Sequence, residues 1–404
     1  MGITLTWKNC QNLFGFCPCP KIHSLLKITS LTAAITRNER GFMTATQMTS
    51  RERVERMFER RDHDRIPRYD SYWDETITRW QAEGLAGSFD GALELLGADF
   101  KSIGVIWPSP FPGQRIVIQE DAETEVIQDH WGATGRFWKY KSGTPEHIGF
   151  DCDSREKWEA VYKPAFLQSD LQADLTALKA QYAAGRRADR WCLWHAAESF
   201  EVTRKIVGDE AVLMAMVTDP EWVQDMSRTY TDCLLREFDA AYESGLHVDG
   251  VFMWGDMAYN HNTFCSPRMY RELIWPDHKR LADWAHARGL KFIFHTDGNV
   301  NGVLELYIEA GFDLLQPLEA KARMDIRQLC PQYGHRIAFQ GNINVMVMMS
   351  NDLDRIEPEI RDKFAAGMAT QGYSYHSDHS IPPQVSLETY RRIIGLIERY
   401  GNYR

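Results

Sequence analysis

Two periods alternate along this chain. Apolar, β-rich runs that end in polar residues recur at residues 66–73, 100–107, 191–195, 250–256, 291–295, 314–319, 337–341 and 373–377. Most are separated by stretches whose apolar positions recur at helical spacing. Several helices announce their starts. Thr49 and Glu52 stand at the spacing of a capping box, and Asp219-Pro220-Glu221 and Ser266-Pro267-Arg268 each put a cap before an N1 proline. Repeated strand–helix units need right-handed crossovers and give a parallel sheet, open or closed. Eight candidate strands favour closure, so the pattern predicts an α/β fold, a (β/α)8 TIM barrel with an N-terminal helical extension. One section breaks the rhythm: across 115–152, Val117, Val126, Trp131, Phe137 and Tyr140 alternate between turn glycines, which predicts a β-hairpin insertion. No glycine-rich phosphate loop follows the first strand, and this weakens a dinucleotide-binding reading.

In a barrel of this kind the chemistry gathers at the carboxyl ends of the strands. The stretch Lys291-Phe292-Ile293-Phe294-His295-Thr296-Asp297-Gly298-Asn299 meets that rule most plainly. Alternate residues of a strand share a face, so His295 and Asp297 point the same way, and Gly298 can turn the chain at once. That is metal-ligand or acid/base geometry. The bland alternative is that His295 ends a satisfied strand and Asp297 caps a helix starting near Asn299. Other strand ends carry Asp70 with Tyr72, His195 with Glu198, Asp256, Gln316 with Glu319, Gln340 with Asn342 and Asn344, and His376 with Asp378 and His379. Any one of these alone reads more readily as a cap or loop residue. Their convergence on one rim makes Asp256, Glu319 and Asp70 candidate catalytic groups. Tyr72, Trp107, His195, Trp254, Gln316, Gln340, Asn342 and Asn344 become candidate substrate-binding residues, with the tryptophans able to floor an apolar pocket.

Composition narrows the classes. At 404 residues, 44% hydrophobic and 25% charged, the chain can bury a sizeable core, and its net charge of −10 comes without an acidic or basic block. A nucleic-acid surface needs a clustered basic stripe, and none is present. No apolar run approaches the roughly 18 to 20 residues that span a bilayer. The eight cysteines are scattered without a CxxC pair, so free thiols in a reducing, cytoplasmic compartment are the default. Residues 1–42 carry +4 against −14 for the remainder. They read as a disordered or misassigned leader, with the working start at Met43 or Met48 and one domain over 43–404.

From about Thr49 to Arg404 the chain resembles the uroporphyrinogen decarboxylase superfamily, which includes heme-pathway decarboxylases and cobalamin-dependent methyltransferases. The resemblance rests on Trp254-Gly255-Asp256, Pro267 with Pro276-Asp277-His278, His295-Thr296-Asp297-Gly298-Asn299, Gln316-Pro317-Leu318-Glu319, Gly341-Asn342-Ile343-Asn344 and His379-Ser380-Ile381-Pro382-Pro383, in that order. It implies a (β/α)8 barrel. It also implies one of two chemistries. Decarboxylases of the family carry an arginine-rich segment after the first strand that grips substrate carboxylates. Here the region reads Ile66-Pro67-Arg68-Tyr69-Asp70-Ser71-Tyr72-Trp73, which offers little bidentate arginine. The methyltransferases hold zinc on a His-x-Cys and a later Cys, and those positions fall on His295, Asp297 and His379.

Both cysteines are therefore replaced. A His/Asp/His set suits a harder ion, zinc or another divalent metal with an open position, and is better fitted to polarising oxygen than to tuning a thiol. The spacing also matches the two-His-one-carboxylate triad of non-heme iron oxygenases, but the helix-rich alternation argues against their usual jelly-roll fold. The resemblance thus implies a metal-assisted methyltransferase acting on a corrinoid- or small-molecule-linked substrate, with a corrinoid as substrate or methyl donor and a corrinoid protein as partner. The alternatives are a decarboxylase of porphyrin metabolism and a barrel that binds a tetrapyrrole or corrinoid without turnover.

Overall fold

The computed structural model of the chain describes residues 48–140 and 145–403. The expected leader, 1–42, lies outside the described residues. Eleven strands are present among those described: β1 Phe100–Val105, β2 Ile116–Glu120, β3 Thr124–Gln128, β4 Ala133–Trp138, β5 Glu146–Phe150, β6 Trp191–Ala197, β7 Gly250–Trp254, β8 Lys291–His295, β9 Leu314–Gln316, β10 Ala338–Gln340 and β11 Tyr373–Ser374. Seven form one parallel sheet in the order β1-β6-β7-β8-β9-β10-β11. Between them run helices such as Ser199–Val207, Pro220–Glu243, Trp275–His286 and Leu353–Met368. Strands β6 and β7 are buried at every residue, as expected for parallel strands covered on both faces.

The predicted first strand, 66–73, is not a regular strand. Pro67 has no N–H to give a ladder, and only isolated bridges form, Arg68 with Tyr375 and Tyr72 with Ile381. The segment still touches both edges of the sheet: Tyr69 N–H donates to the Tyr375 carbonyl at 3.1 Å, and Asp99 N–H, just ahead of β1, donates to the Arg68 carbonyl at 2.8 Å. The outcome is a curled seven-stranded parallel sheet with an irregular segment spanning the gap between its edge strands.

The insertion is larger than a hairpin. Strands β2 to β5 make a four-stranded antiparallel sheet in sequence order, with Val126 and Ile127 of β3 buried and all of β2 exposed. The expected helix starts hold. Thr49 Oγ1 accepts from Glu52 N–H at 3.1 Å, Asp219 Oδ1 from Trp222 N–H at 3.2 Å, and Ser266 Oγ from Met269 N–H at 3.2 Å. No described helix is long and apolar enough to cross a membrane.

Candidate functional site

Strand register assembles the site. β7 and β8 run parallel with Trp254 paired to His295, and Gly255 N–H donates to the His295 carbonyl at 3.1 Å. The residues two further along, Asp256 and Asp297, therefore leave neighbouring strands side by side, and Asp297 N–H donates to Asp256 Oδ1 at 3.0 Å. Gly298 then turns the chain at φ +83°. A Cβ there would lie 2.5 Å from the Ala258 carbonyl carbon, so only glycine lets the two loops pass.

Asp256, His295 and Asp297 each offer one ligand atom, and these atoms all lie within 4.8 Å of one another. Ligand atoms on a tetrahedral ion with bonds of about 2.1 Å sit about 3.4 Å apart, so a small inward movement suffices. Asp297 Oδ1 is buried with no hydrogen-bond partner among the described residues. Burial, and then the charges of Asp256 and Glu319, push the Asp297 carboxyl well above the ordinary carboxylate range. Burial, and then Glu201, push Asp256 upward too. Two crowded carboxylates and an imidazole, with one orphaned oxygen, fit a divalent cation. His379 is not among these donors. Its ring stacks on Trp73 at 5.9 Å between centroids, and Nδ1 lies 3.5 Å from the Ser380 carbonyl. The two-residue alternation predicted the His295/Asp297 pair; the third donor, Asp256, comes from the end of the adjacent strand rather than from the turn after β11. Asp297 caps no helix, since the next one is Leu304–Ala310 with Val303 at its N-cap.

Behind the cluster stands Glu319, 4% exposed. Its Oε2 accepts from Gly298 N–H at 2.9 Å and its Oε1 is 2.6 Å from Lys321 Nζ. Asp378 accepts from Ala320 N–H at 3.0 Å and from Val345 N–H at 2.8 Å, and burial pushes its carboxyl up to about 6. On the other side, Arg204 donates to the Asp256 carbonyl at 3.0 Å while bound to Glu201 and Asp209. Sequence reasoning missed Lys321, Glu201 and Arg204. Lys321 stands two residues past Glu319, but a lysine in the single 3-10 turn Ala320–Ala322 carries no periodic signal. Glu201 and Arg204 sit on a helix face where charge ordinarily means solvent.

The other candidates divide. Gln316 Oε1 meets His295 Nδ1, and its Nε2 lies 3.3 Å from His376 Nε2. Trp107 packs edge-on against Trp254 at 4.8 Å and against Trp131 of the insertion at 5.2 Å, forming an aromatic wall two residues from Asp256. His195 is buried with its ring 4.6 Å from Phe252, and burial, then the charge of His295, hold it neutral. Asp70 lies away from the cluster: it accepts from the Tyr375 hydroxyl at 2.8 Å, the Tyr390 hydroxyl at 3.1 Å and Ser377 Oγ at 2.5 Å, and is fully buried. Those bonds tie the 65–72 segment to β11 and the last helix. Tyr72 belongs to the same core, its hydroxyl 2.8 Å from that of Tyr390. Gln340 donates to Ser374 Oγ at 2.9 Å. Asn342 binds the Leu318 carbonyl at 2.7 Å and accepts from Ile326 N–H at 3.0 Å, and Asn344 caps the helix Val345–Met348. These last side chains are spent on the scaffold.

The fold is shared with a methyltransferase from Methanosarcina mazei, at a TM-score of 0.62 and 15% identity over 87% of this chain and 99% of that one. A looser likeness, to a chitinase from Chromobacterium violaceum at a TM-score of 0.36 and 8% identity over 78% of this chain and 97% of that one, says nothing of shared architecture. No curated protein matches the sequence significantly. The family model described as uroporphyrinogen decarboxylase (URO-D) matches residues 199–400, from the helix after β6 to the final helix and across every residue of the candidate metal cluster. The chain belongs to the uroporphyrinogen decarboxylase (URO-D) family.

Proposed function

We propose that this protein is an enzyme of the methyl-transferring kind, assisted by a divalent cation such as zinc on Asp256, His295 and Asp297. The observation that carries the reading is the buried Asp297 Oδ1, without a partner and beside a second carboxylate and an imidazole. An ion bound there would supply Lewis-acid polarisation of an acceptor or leaving oxygen. The protein's own groups supply the rest. Glu319, beside the cluster and fixed by Gly298 and Lys321, is placed to take the proton that an acceptor O–H or S–H releases as the methyl group arrives. Trp107 and Trp254 wall the site with apolar surface that keeps water from competing as acceptor. In this reading the 65–72 segment counts as the eighth strand of a complete (β/α)8 barrel, and a corrinoid, free or protein-bound, is the donor or substrate.

Decarboxylation of a polycarboxylate substrate is less well supported. Arg68 is buried, with Nη1 3.8 Å from Glu398 and 3.5 Å from the Leu96 carbonyl, so it does not reach a ligand at the strand ends. Single-turnover methyl transfer from methylcobalamin to small oxygen and sulfur acceptors, with and without bound metal, tests the proposal. Metal-dependent transfer lost in Glu319→Gln supports it. Carbon dioxide release from a porphyrinogen, or tight corrinoid binding without turnover, contradicts it.

A further inference from the structure

One hydroxyl links the backbones of both acidic ligands. Thr296 stands between His295 and Asp297, and the alternation that sends those two side chains into the cluster sends its own away from it. It is buried there, 2% exposed. Thr296 Oγ1 accepts from the Met257 N–H at 2.9 Å and donates to the Asp297 carbonyl at 3.2 Å. The Met257 N–H belongs to the same peptide group as the Asp256 carbonyl, and that carbonyl accepts from Arg204 Nη1 at 3.0 Å. A peptide group is planar, so a bond at its N–H and another at its C=O fix its tilt between them. Arg204 is itself held: Nη1 also donates to Glu201 at 3.0 Å, Nε donates to Asp209 at 2.6 Å, and the guanidinium lies 4.8 Å from the centre of the Phe264 ring. The tilt of this peptide is the ψ of Asp256. On the other side of the residue, the Gly255 N–H is bound to the His295 carbonyl at 3.1 Å. Both flanks of Asp256 are therefore tied, and its Cα–Cβ bond has little freedom to turn away from Asp297.

We propose that Thr296 and Arg204 are positioning residues that clamp the Asp256–Met257 peptide and so hold the Asp256 carboxylate beside Asp297. The purpose of the clamp rests on the metal reading above, but the clamp itself is present before any ion arrives. It matters because two carboxylates left to themselves separate. A site whose ligands have already been brought together binds its ion without having to gather them.

The first probe is amide hydrogen exchange of full-length, metal-free protein, resolved by residue. The reporter is the Asp297 amide, which donates to Asp256 Oδ1 and is bonded to neither clamping side chain. Thr296→Val removes the hydroxyl and keeps the shape, Thr296→Ser keeps the hydroxyl, and Arg204→Met removes the second hold from a distance. Protection of the Asp297 amide is expected to fall about 5-fold or more in Thr296→Val and Arg204→Met, the size of one lost hydrogen bond. It is expected to return in Thr296→Ser, with the amides of β6 unchanged throughout as the control for general loosening. If Arg204→Met does not fold, the two Thr296 variants decide. Unchanged protection of Asp297 in Thr296→Val and Arg204→Met overturns the proposal. Cobalt(II) is the second probe, with affinity expected to weaken about 10- to 100-fold in Thr296→Val and Arg204→Met and to recover in Thr296→Ser. A wild type that binds no cobalt refutes the function proposed above, and the Asp297 amide still decides the clamp. Cobalt bound equally well by wild type, Thr296→Val and Arg204→Met overturns the clamp and leaves that function standing.

Discussion

Asp297 gives its backbone N–H to the Asp256 carboxylate at 3.0 Å while its own Oδ1 stays buried without a partner. One peptide thus joins the ends of β7 and β8 and holds two carboxylates against each other. Their ligand oxygens lie within 4.8 Å of each other, and mutual repulsion disfavours the metal-free, doubly charged state. Asn at 256 keeps an acceptor for the Asp297 N–H and removes the charge. Asp256→Asn should therefore melt close to the wild type while losing most metal affinity and activity. Equal affinity and activity in that variant would return Asp256 to a structural role.

Asp70 should behave in the opposite way. Its carboxylate is the acceptor for Tyr375, Tyr390 and Ser377 in a fully buried core, and Asp70→Ala leaves those hydroxyls unmatched. A loss of about 3 kcal/mol in unfolding free energy is expected, with metal stoichiometry intact in the folded fraction. Denaturant titration and metal analysis of one preparation separate the two effects.

Gly298 sets the exit from the cluster, at φ +83° and with no room for a Cβ against the Ala258 backbone. Gly298→Ala should cost at least about 2 kcal/mol from left-handed strain and overlap together, and it should displace Asp297. Calorimetry reporting a melting temperature equal to the wild type's would show that the loop has space the geometry denies it.

His130, on the turn between β3 and β4, is pushed down by burial from the ordinary 6.5 to about 4. In the folded protein it stays neutral where the unfolded chain binds a proton, so its contribution to stability is fully present above pH 6.5 and is lost as pH falls toward 4. Its size is at most about 3 kcal/mol. His130→Phe should show a shallower fall in melting temperature between pH 7 and pH 4.5 than the wild type. Parallel curves would mean that His130 is solvated when folded.

The parallel sheet was legible because its strands, buried on both faces, read as apolar runs with polar ends. β8 announced His295 and Asp297 through the two-residue alternation alone. The 66–73 run forms isolated bridges where a regular strand was expected, because Pro67 has no N–H to give a ladder. His379 was drawn into the metal set by its place in the family pattern. Nothing local to the sequence reports that its ring lies on Trp73, or that the lateral neighbour of Asp297 is Asp256. Register between strands decides that, and register is a tertiary quantity. Asp70, Asn342 and Asn344 carry groups that serve a site or a scaffold equally well, and only their partners tell which.

Metal stoichiometry tests the central claim most directly. Elemental analysis of protein loaded with zinc and then desalted should return one equivalent for the wild type and for His379→Asn, and well under one for His295→Ala, Asp297→Ala and Asp256→Ala. A wild type that retains no metal, or retention lost in His379→Asn but kept in Asp256→Ala, would contradict the account.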